Sequence, residues 1–143
     1  MSLENRQRQL FTAGILLFLL AMLAGLIFPQ LANPRMGLSA HLVGLFGGLF
    51  LIALGSIWKH VVLPGRVEAV PVWLALYGLY GNFATTLLAA AFATNRLTPL
   101  AGSGHFAAAW QENIVTFGLM SVSVATVTAC VLVLWGLRRR GTE

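Results

Sequence analysis

The sequence predicts an all-α membrane protein, a bundle of four transmembrane helices with both termini on the cytoplasmic side. Of the 143 residues, 58% are hydrophobic and only 9% are charged, too few charges for the surface of a soluble domain. The hydrophobic residues fall into four blocks of roughly 20 residues or more, the length that crosses a bilayer core. Lys and Arg concentrate at the chain ends and in one loop.

The first predicted helix spans residues 10–32 and follows a short charged start. It is too long for a cleaved signal peptide and no small-residue cleavage site follows, so we expect it to be retained. Pro29 and Pro34 are expected to end it. The second predicted helix spans residues 38–58, and Ser39 is expected to cap its start.

The third predicted helix spans residues 70–94 and follows the turn signal Pro64-Gly65. A polar loop then leads to the fourth predicted helix, residues 108–137, which three successive arginines end. The loops are short throughout. We therefore expect residues 1–143 to form a single membrane domain.

Orientation follows from the distribution of basic residues. Seven of the nine Lys and Arg residues lie on the side of the termini, and only Arg35 and Arg96 lie on the other. Because cytoplasmic loops carry the excess of basic residues, the chain is expected to be a multi-pass protein of the inner (plasma) membrane with cytoplasmic termini. Trp58, Trp73 and Trp135 are expected at the cytoplasmic interface. No concentrated basic face exists, so nucleic acid is not an expected partner.

Polar side chains gather in the outer half of the predicted bundle. His41 lies near the outer end of the second helix, Asn82 near the middle of the third, and Thr86 one turn further out. Residues 111–113 (Gln-Glu-Asn) begin the fourth helix at the same end. Polar groups are costly inside a membrane, so we expect a cavity or a cofactor there. For Glu112, an acid reaching to the bilayer surface is favoured over a catalytic group.

His41 is the first candidate site residue. Gly44 and Gly48 follow it by three and seven residues and share its helical face. This Gly-x-x-x-Gly pair lets a flat surface approach closely, either another helix or a porphyrin ring. A haem with His41 as its single protein ligand fits the pattern, and a histidine bonded to a loop carbonyl is the alternative. Asn82 either bonds a neighbouring helix or holds a polar substrate group.

Four runs of sequence resemble the hydroxylaminobenzene mutases, a family similar in fold to the more distant styrene oxide isomerases. They are residues 33–42 (NPRMGLSAHL), 73–78 (WLALYG), 86–90 (TLLAA) and 109–112 (AWQE). The resemblance implies a small four-helix membrane enzyme that assembles as a homotrimer and holds haem b between subunits. It also implies that His41 ligates the iron and that Gly44 and Gly48 border the cofactor.

By the same resemblance the protein is an isomerase, a mutase that converts hydroxylaminobenzene-type arenes to 2-aminophenols by Lewis-acid chemistry of ferric haem. Asn82 and Thr86 are the implied catalytic residues, and the substrate is a small neutral aromatic that enters from the bilayer. Two departures stand out: Gly47 replaces an asparagine common to both families, and Thr86 replaces a tyrosine of the epoxide isomerases. Isomerisation of an aryl epoxide such as styrene oxide to an aldehyde is therefore the alternative.

Two other classes of function compete with an isomerase. A membrane haem electron carrier usually needs two axial ligands, and this sequence has no second histidine at membrane depth unless His105 folds inward. A proton-coupled drug transporter needs an acid within the membrane, and Glu112 is the only candidate. Both rank below the isomerase.

Overall fold

The computed structural model of the protein describes residues 3–102 and 104–138. Within these ranges the chain forms four long helices and no strand: α1 (Leu3–Ile27), α2 (Pro34–Ile57), α3 (Val70–Phe92) and α4 (Ala109–Arg138). All four are long and apolar enough to cross a membrane, by length and composition. The predicted all-helical membrane fold is confirmed. Arg139 and Arg140, which contributed to the predicted orientation, lie outside the described residues.

The charged start of the chain belongs to α1, which begins at Leu3 rather than at residue 10. Two contacts explain the extension. The Arg6 guanidinium pairs with the Glu68 carboxylate at 3.1 Å, and the Gln7 amide donates to the Gly55 carbonyl at 3.1 Å. The first two turns of α1 are therefore held by the α2–α3 connection and the end of α2.

The start of α2 also differs from the prediction, because the helix begins at Pro34 and not at residue 38. Asn33 is its N-cap, and the Asn33 side-chain oxygen accepts the Met36 N–H at 3.2 Å. Proline suits the first helical position, where no intrahelical N–H bond is needed. Ser39 lies inside the helix and donates to the Arg35 carbonyl, so the prediction that Ser39 caps α2 is wrong.

The helices pack in sequence order, α2 against α1 and α3, and α4 against α3. The Arg6–Glu68 pair and a bond from the Val62 N–H to the Gly136 carbonyl (3.0 Å) bring the starts of α1 and α3 to the end of α4. We call this end of the bundle, which holds the starts of α1 and α3 and the end of α4, the terminal end. Trp58 lies there in the core and is 1% exposed, so the expectation that it joins an interfacial belt is wrong.

Glycines set the closest approach between helices. A Cβ added at Gly48 would lie 2.7 Å from the Gly14 carbonyl oxygen and 2.9 Å from the Phe18 amide nitrogen, both main-chain atoms of α1. On the other side of the bundle, a Cβ at Gly81 of α3 would lie 2.7 Å from a Val122 methyl of α4. The missing side chains therefore let α2 approach α1, and α3 approach α4.

Gly48 and its neighbour Gly47 give a matched pair of substitutions. Gly48→Ala should destabilise the protein by about 1–3 kcal/mol, because the new methyl meets main-chain atoms that cannot move independently. Gly47→Ala should be tolerated, since the nearest atom to its Cβ would be the movable Leu17 Cδ2 at 3.1 Å, and the Leu79 side chain would lie at ordinary contact distance. Both gain the same helix propensity. Thermal unfolding in detergent measures the difference, and equal melting temperatures would refute this account of the packing.

Candidate active site

His41 is held against α1 by a main-chain contact. Its Nδ1 lies 2.7 Å from the Ala21 carbonyl oxygen. A carbonyl oxygen only accepts, so Nδ1 of the neutral ring carries the proton and the free lone pair is on Nε2. The predicted alternative, a bond to a loop carbonyl, is wrong in its partner, because Ala21 lies within α1.

A glycine on α1 makes this contact possible. The α-helical pattern brings the Gly25 N–H to the same Ala21 carbonyl that accepts from His41. A Cβ at Gly25 would lie 2.6 Å from His41 Nδ1. The absence of that side chain leaves the second lone pair of the carbonyl open to the imidazole.

The described residues hold no group of three or more His, Cys, Asp or Glu side chains placed to share a metal ion. An iron whose other ligands come from a porphyrin needs only one protein ligand. His41 meets this requirement, because its Nδ1–H is bonded and its Nε2 lone pair is free, the arrangement that orients metal-binding histidines. The donor set therefore fits a haem with a single histidine ligand.

Gly44 and Gly48 share the His41 face, and this face is packed against neighbouring helices of the same chain. A Cβ at Gly44 would lie 2.6 Å from Ala21 Cβ and 2.7 Å from Phe83 Cδ2. Of the two surfaces expected there, another helix is the one the structure shows. These glycines bring α1 close enough for Ala21 to reach His41, and their contact with a cofactor stays a prediction.

Asn82 borders a groove of about 340 Å³ between α2 and α3. It is the only polar side chain among the lining residues, and the others are Leu42, Val43, Phe46, Gly47, Phe50 and Leu79. The buried Thr86 hydroxyl donates to Asn82 Oδ1 over a long 3.4 Å. No acceptor for the Asn82 amide nitrogen occurs among the described residues, so its N–H groups are available to a ligand.

His41 and Asn82 do not meet within one chain. His41 lies on the face of α2 that packs against α1, whereas Phe46 and Phe50 line the Asn82 groove. Phe46 follows His41 by five residues, which is about 140° around an α-helix. A single copy therefore presents the histidine at the contact between α1 and α2 and the amide in the groove between α2 and α3. The expected convergence of these residues is not seen within it.

The polar start of α4 serves the α3–α4 loop. Glu112 is 7% exposed, and its two carboxylate oxygens accept the backbone N–H groups of Asn95 and Arg96 at 2.9 and 3.2 Å. Asn113 accepts from the Arg96 guanidinium at 2.7 Å, and Gln111 accepts a loop N–H at 2.9 Å. The expectations that these residues join a cavity, and that Glu112 reaches to the bilayer surface, are wrong.

Asn33 was missed as a site-supporting residue. It is fully buried, its amide donates to the Ala101 carbonyl at 2.8 Å, and its N–H donates to the Ala90 carbonyl at 3.0 Å. It thus ties the helix that carries His41 to the α3–α4 loop. The signal was present in the sequence, since Asn followed by Pro is a typical N-cap and first helical residue.

Removal of the Glu112 carboxylate should loosen this end of the bundle. Glu112→Ala leaves two backbone N–H groups without their acceptor, so we expect a loss of about 2–4 kcal/mol. Glu112→Gln keeps one acceptor and should lose less. Asn113→Ala, at the exposed neighbour, should lose under about 1 kcal/mol. Thermal unfolding in detergent ranks the three variants, and an unchanged melting temperature for Glu112→Ala would contradict the assignment.

Comparison with known proteins adds to this geometry. The family model for styrene oxide isomerase matches residues 6–138. Hydroxylaminobenzene mutase HabB of Ectopseudomonas oleovorans is 43% identical over 141 residues, which cover 95% of this chain and 86% of that protein. Hydroxylaminobenzene mutase HabA of the same organism is 37% identical over 134 residues, 93% of this chain and 99% of that protein. No solved structure matches the chain significantly.

Proposed function

We propose, since this chain belongs to the styrene oxide isomerase family, that it is a haem-b-dependent mutase converting hydroxylaminobenzene-type arenes to 2-aminophenols. That it is an isomerase follows from the family and from its two mutase relatives. The names of those relatives favour the hydroxylaminoarene as substrate. The observation that carries the haem proposal is His41, whose Nδ1–H is bonded to Ala21 and whose Nε2 is free.

In this proposal His41 holds the cofactor through Nε2. The Ala21 carbonyl fixes the tautomer and the ring orientation, so the nitrogen lone pair is presented without a search over rotamers. When bound, ferric haem b would supply a Lewis acid that weakens the N–O bond of the substrate. The conversion is an isomerisation: oxygen leaves nitrogen for the ring, a ring carbon loses a proton and nitrogen gains one. No external oxidant or reductant is needed.

The Asn82 groove would handle the substrate. Its aromatic and aliphatic walls suit a neutral arene and exclude water, and Phe46 and Phe50 offer ring contacts. The Asn82 side-chain N–H groups would donate to the polar group of the substrate, while the Thr86 hydroxyl donates to the Asn82 side-chain oxygen. Gly47 leaves the floor of the groove without a side chain. Asn82 would therefore fix the direction in which the arene enters.

We further propose a homo-oligomer, a trimer, with the cofactor at the subunit interfaces. The support is that His41 contacts α1 whereas Asn82 borders the groove between α2 and α3, so a site using both needs two copies of the chain. Mixing inactive His41→Ala copies with impaired Asn82→Ala copies should raise activity above that of either variant alone, because some interfaces then pair a native His41 with a native Asn82. A mixture no more active than either variant alone would refute the shared site.

The enzymatic proposal is tested by a spectrum and a paired assay. Protein purified from haem-replete cells should show a Soret band and convert hydroxylaminobenzene to 2-aminophenol. The alternative function is isomerisation of an aryl epoxide to an aldehyde, and it is favoured by the match to the family model for styrene oxide isomerase. Styrene oxide is therefore the second substrate in the assay. Faster phenylacetaldehyde formation would reverse the ranking of substrates, and absence of the Soret band would overturn the haem proposal.

We also propose that the terminal end faces the cytoplasm and that the membrane is the inner (plasma) membrane. The support is the seven-to-two distribution of basic residues. A reporter that works only in the cytoplasm should be active when fused after Glu143. Activity of a periplasmic reporter at the same position would reverse the orientation.

A further inference from the structure

A second and larger cavity, of about 850 Å³, opens between α1 and α3 near the terminal end. These two helices contact each other little, because α2 packs against both. The rim of this cavity is remote from the contact between Ala21 and His41: Arg8, at the rim, precedes Ala21 by 13 residues of α1, a rise of about 20 Å. Its inner end is nearer, because Tyr80 precedes Asn82 by two residues. Its volume lies within the range of about 300–1,000 Å³ that is usual for ligand sites.

The deeper part of this cleft is apolar and preformed. Leu16 and Leu76 line it from α1 and α3. The Tyr80 hydroxyl donates to the Ala13 carbonyl at 2.7 Å, which fixes the aromatic wall against α1. Trp73, also a lining residue, is 62% exposed. The lining therefore suits a hydrocarbon chain, with an indole at the level where a bilayer meets water.

The rim of the cleft is polar and carries an unbalanced positive charge. Arg8 lines it, and none of the lining residues is acidic. The nearby Arg6 is already paired with Glu68, whereas no ion pair with Arg8 occurs among the described residues. Gln9 also lines the cleft, and its side-chain oxygen is buried without a hydrogen-bond partner within the part of the chain described.

We propose that this cleft binds an anionic phospholipid of the surrounding leaflet, with its phosphate on Arg8 and one acyl chain between α1 and α3. A headgroup hydroxyl, as in a phosphatidylglycerol, would satisfy the unpartnered Gln9 oxygen after a small rotation of that side chain. Basic pockets between transmembrane helices recognise such headgroups. A second copy of the chain is a poorer occupant, since five basic residues of the described part of the chain lie at the terminal end and would meet Arg8 with like charge.

The test uses Trp73 as a reporter in the full-length protein, reconstituted in bilayers. Phosphatidylglycerol or phosphatidylcholine with brominated acyl chains is added at equal mole fraction, and the quenching that Trp73→Phe removes is measured. We expect about fivefold stronger apparent binding of the anionic lipid, the effect of one basic residue at a bilayer surface. Because each protein is compared with itself in two lipids, quenching by any bound haem cancels.

Arg8→Gln should abolish the preference for the anionic lipid. Lys59→Gln removes an exposed charge at the same end, outside the cleft, and should retain it. Equal quenching by both lipids, a preference that survives Arg8→Gln, or an equal loss in Lys59→Gln would each overturn the proposal. Trp73 that neither lipid quenches would also overturn it and would indicate that a second copy covers the cleft.

Discussion

Protein carrying His41→Ala is expected to lose its haem, or most of it, and with it the conversion of hydroxylaminobenzene. The reason is that His41 is the only histidine within the four described long helices. Its Nδ1 is bonded to the Ala21 carbonyl, and its Nε2 is free to bind the iron. Insertion should not change, because it depends on the four apolar helices. The ratio of Soret absorbance to protein absorbance in detergent-purified samples measures the loss.

Two other histidines give matched controls for this experiment. His60 lies at the terminal end and His105 in the α3–α4 loop. Each should keep the Soret band when replaced by alanine, and the result for His105 also tests whether a second axial ligand comes from the loop. Imidazole added to His41→Ala should restore part of the band. If His41→Ala keeps its full haem and activity, the assignment of the ligand is wrong.

Replacement of Asn82 should separate substrate handling from cofactor binding. In Asn82→Ala we expect the Soret band to be nearly unchanged and turnover to fall by about 10- to 1,000-fold, which corresponds to roughly 1.4–4 kcal/mol for one positioned polar group. The groove keeps its apolar walls in this variant. The loss should therefore appear mainly in turnover and much less in the affinity for the arene.

Substitutions at Thr86 and Asn113 serve as comparisons for the loss of turnover in Asn82→Ala. Thr86→Val removes the donor to Asn82, but that bond is long at 3.4 Å, so we expect only a few-fold loss. Asn113→Ala removes an exposed amide that bonds Arg96, far along the chain from the groove, and should leave turnover unchanged. Full turnover in the Asn82→Ala variant would exclude Asn82 from the active site. Loss of the Soret band in this variant would instead assign Asn82 to cofactor binding.

The helices could be predicted from the sequence because each is an uninterrupted apolar run of sufficient length. The ends of the helices were harder to predict, since one pair of residues can both end one helix and begin the next. The sequence predicts only that Pro34 ends the first helix, yet Asn33 caps the second helix and Pro34 begins it. The start of α1 was missed because the contacts that make it helical, from Arg6 and Gln7, are to residues more than 45 positions away.

The site was predictable in its residues and less so in its arrangement. The sequence predicts that His41 and Asn82 both lie in the outer half of the bundle, and spacing along α2 already separates His41 from the Phe46 face. Which face of α2 packs against α1 depends on how the helices pair, and no local sequence pattern predicts that pairing. The same limit applies to Glu112: its burial follows from two backbone N–H groups 16 and 17 residues earlier.

The acceptor that orients His41 is a main-chain atom, and this has a consequence for genetics. No substitution at Ala21 can delete that oxygen, so a mutational scan should tolerate other small side chains there. Position 25 should behave in the opposite way, because even alanine would place a methyl 2.6 Å from His41 Nδ1. Selection on the orientation of the histidine would thus be recorded at a glycine that does not bond it, while position 21, which does bond it, would show only the need for a small side chain.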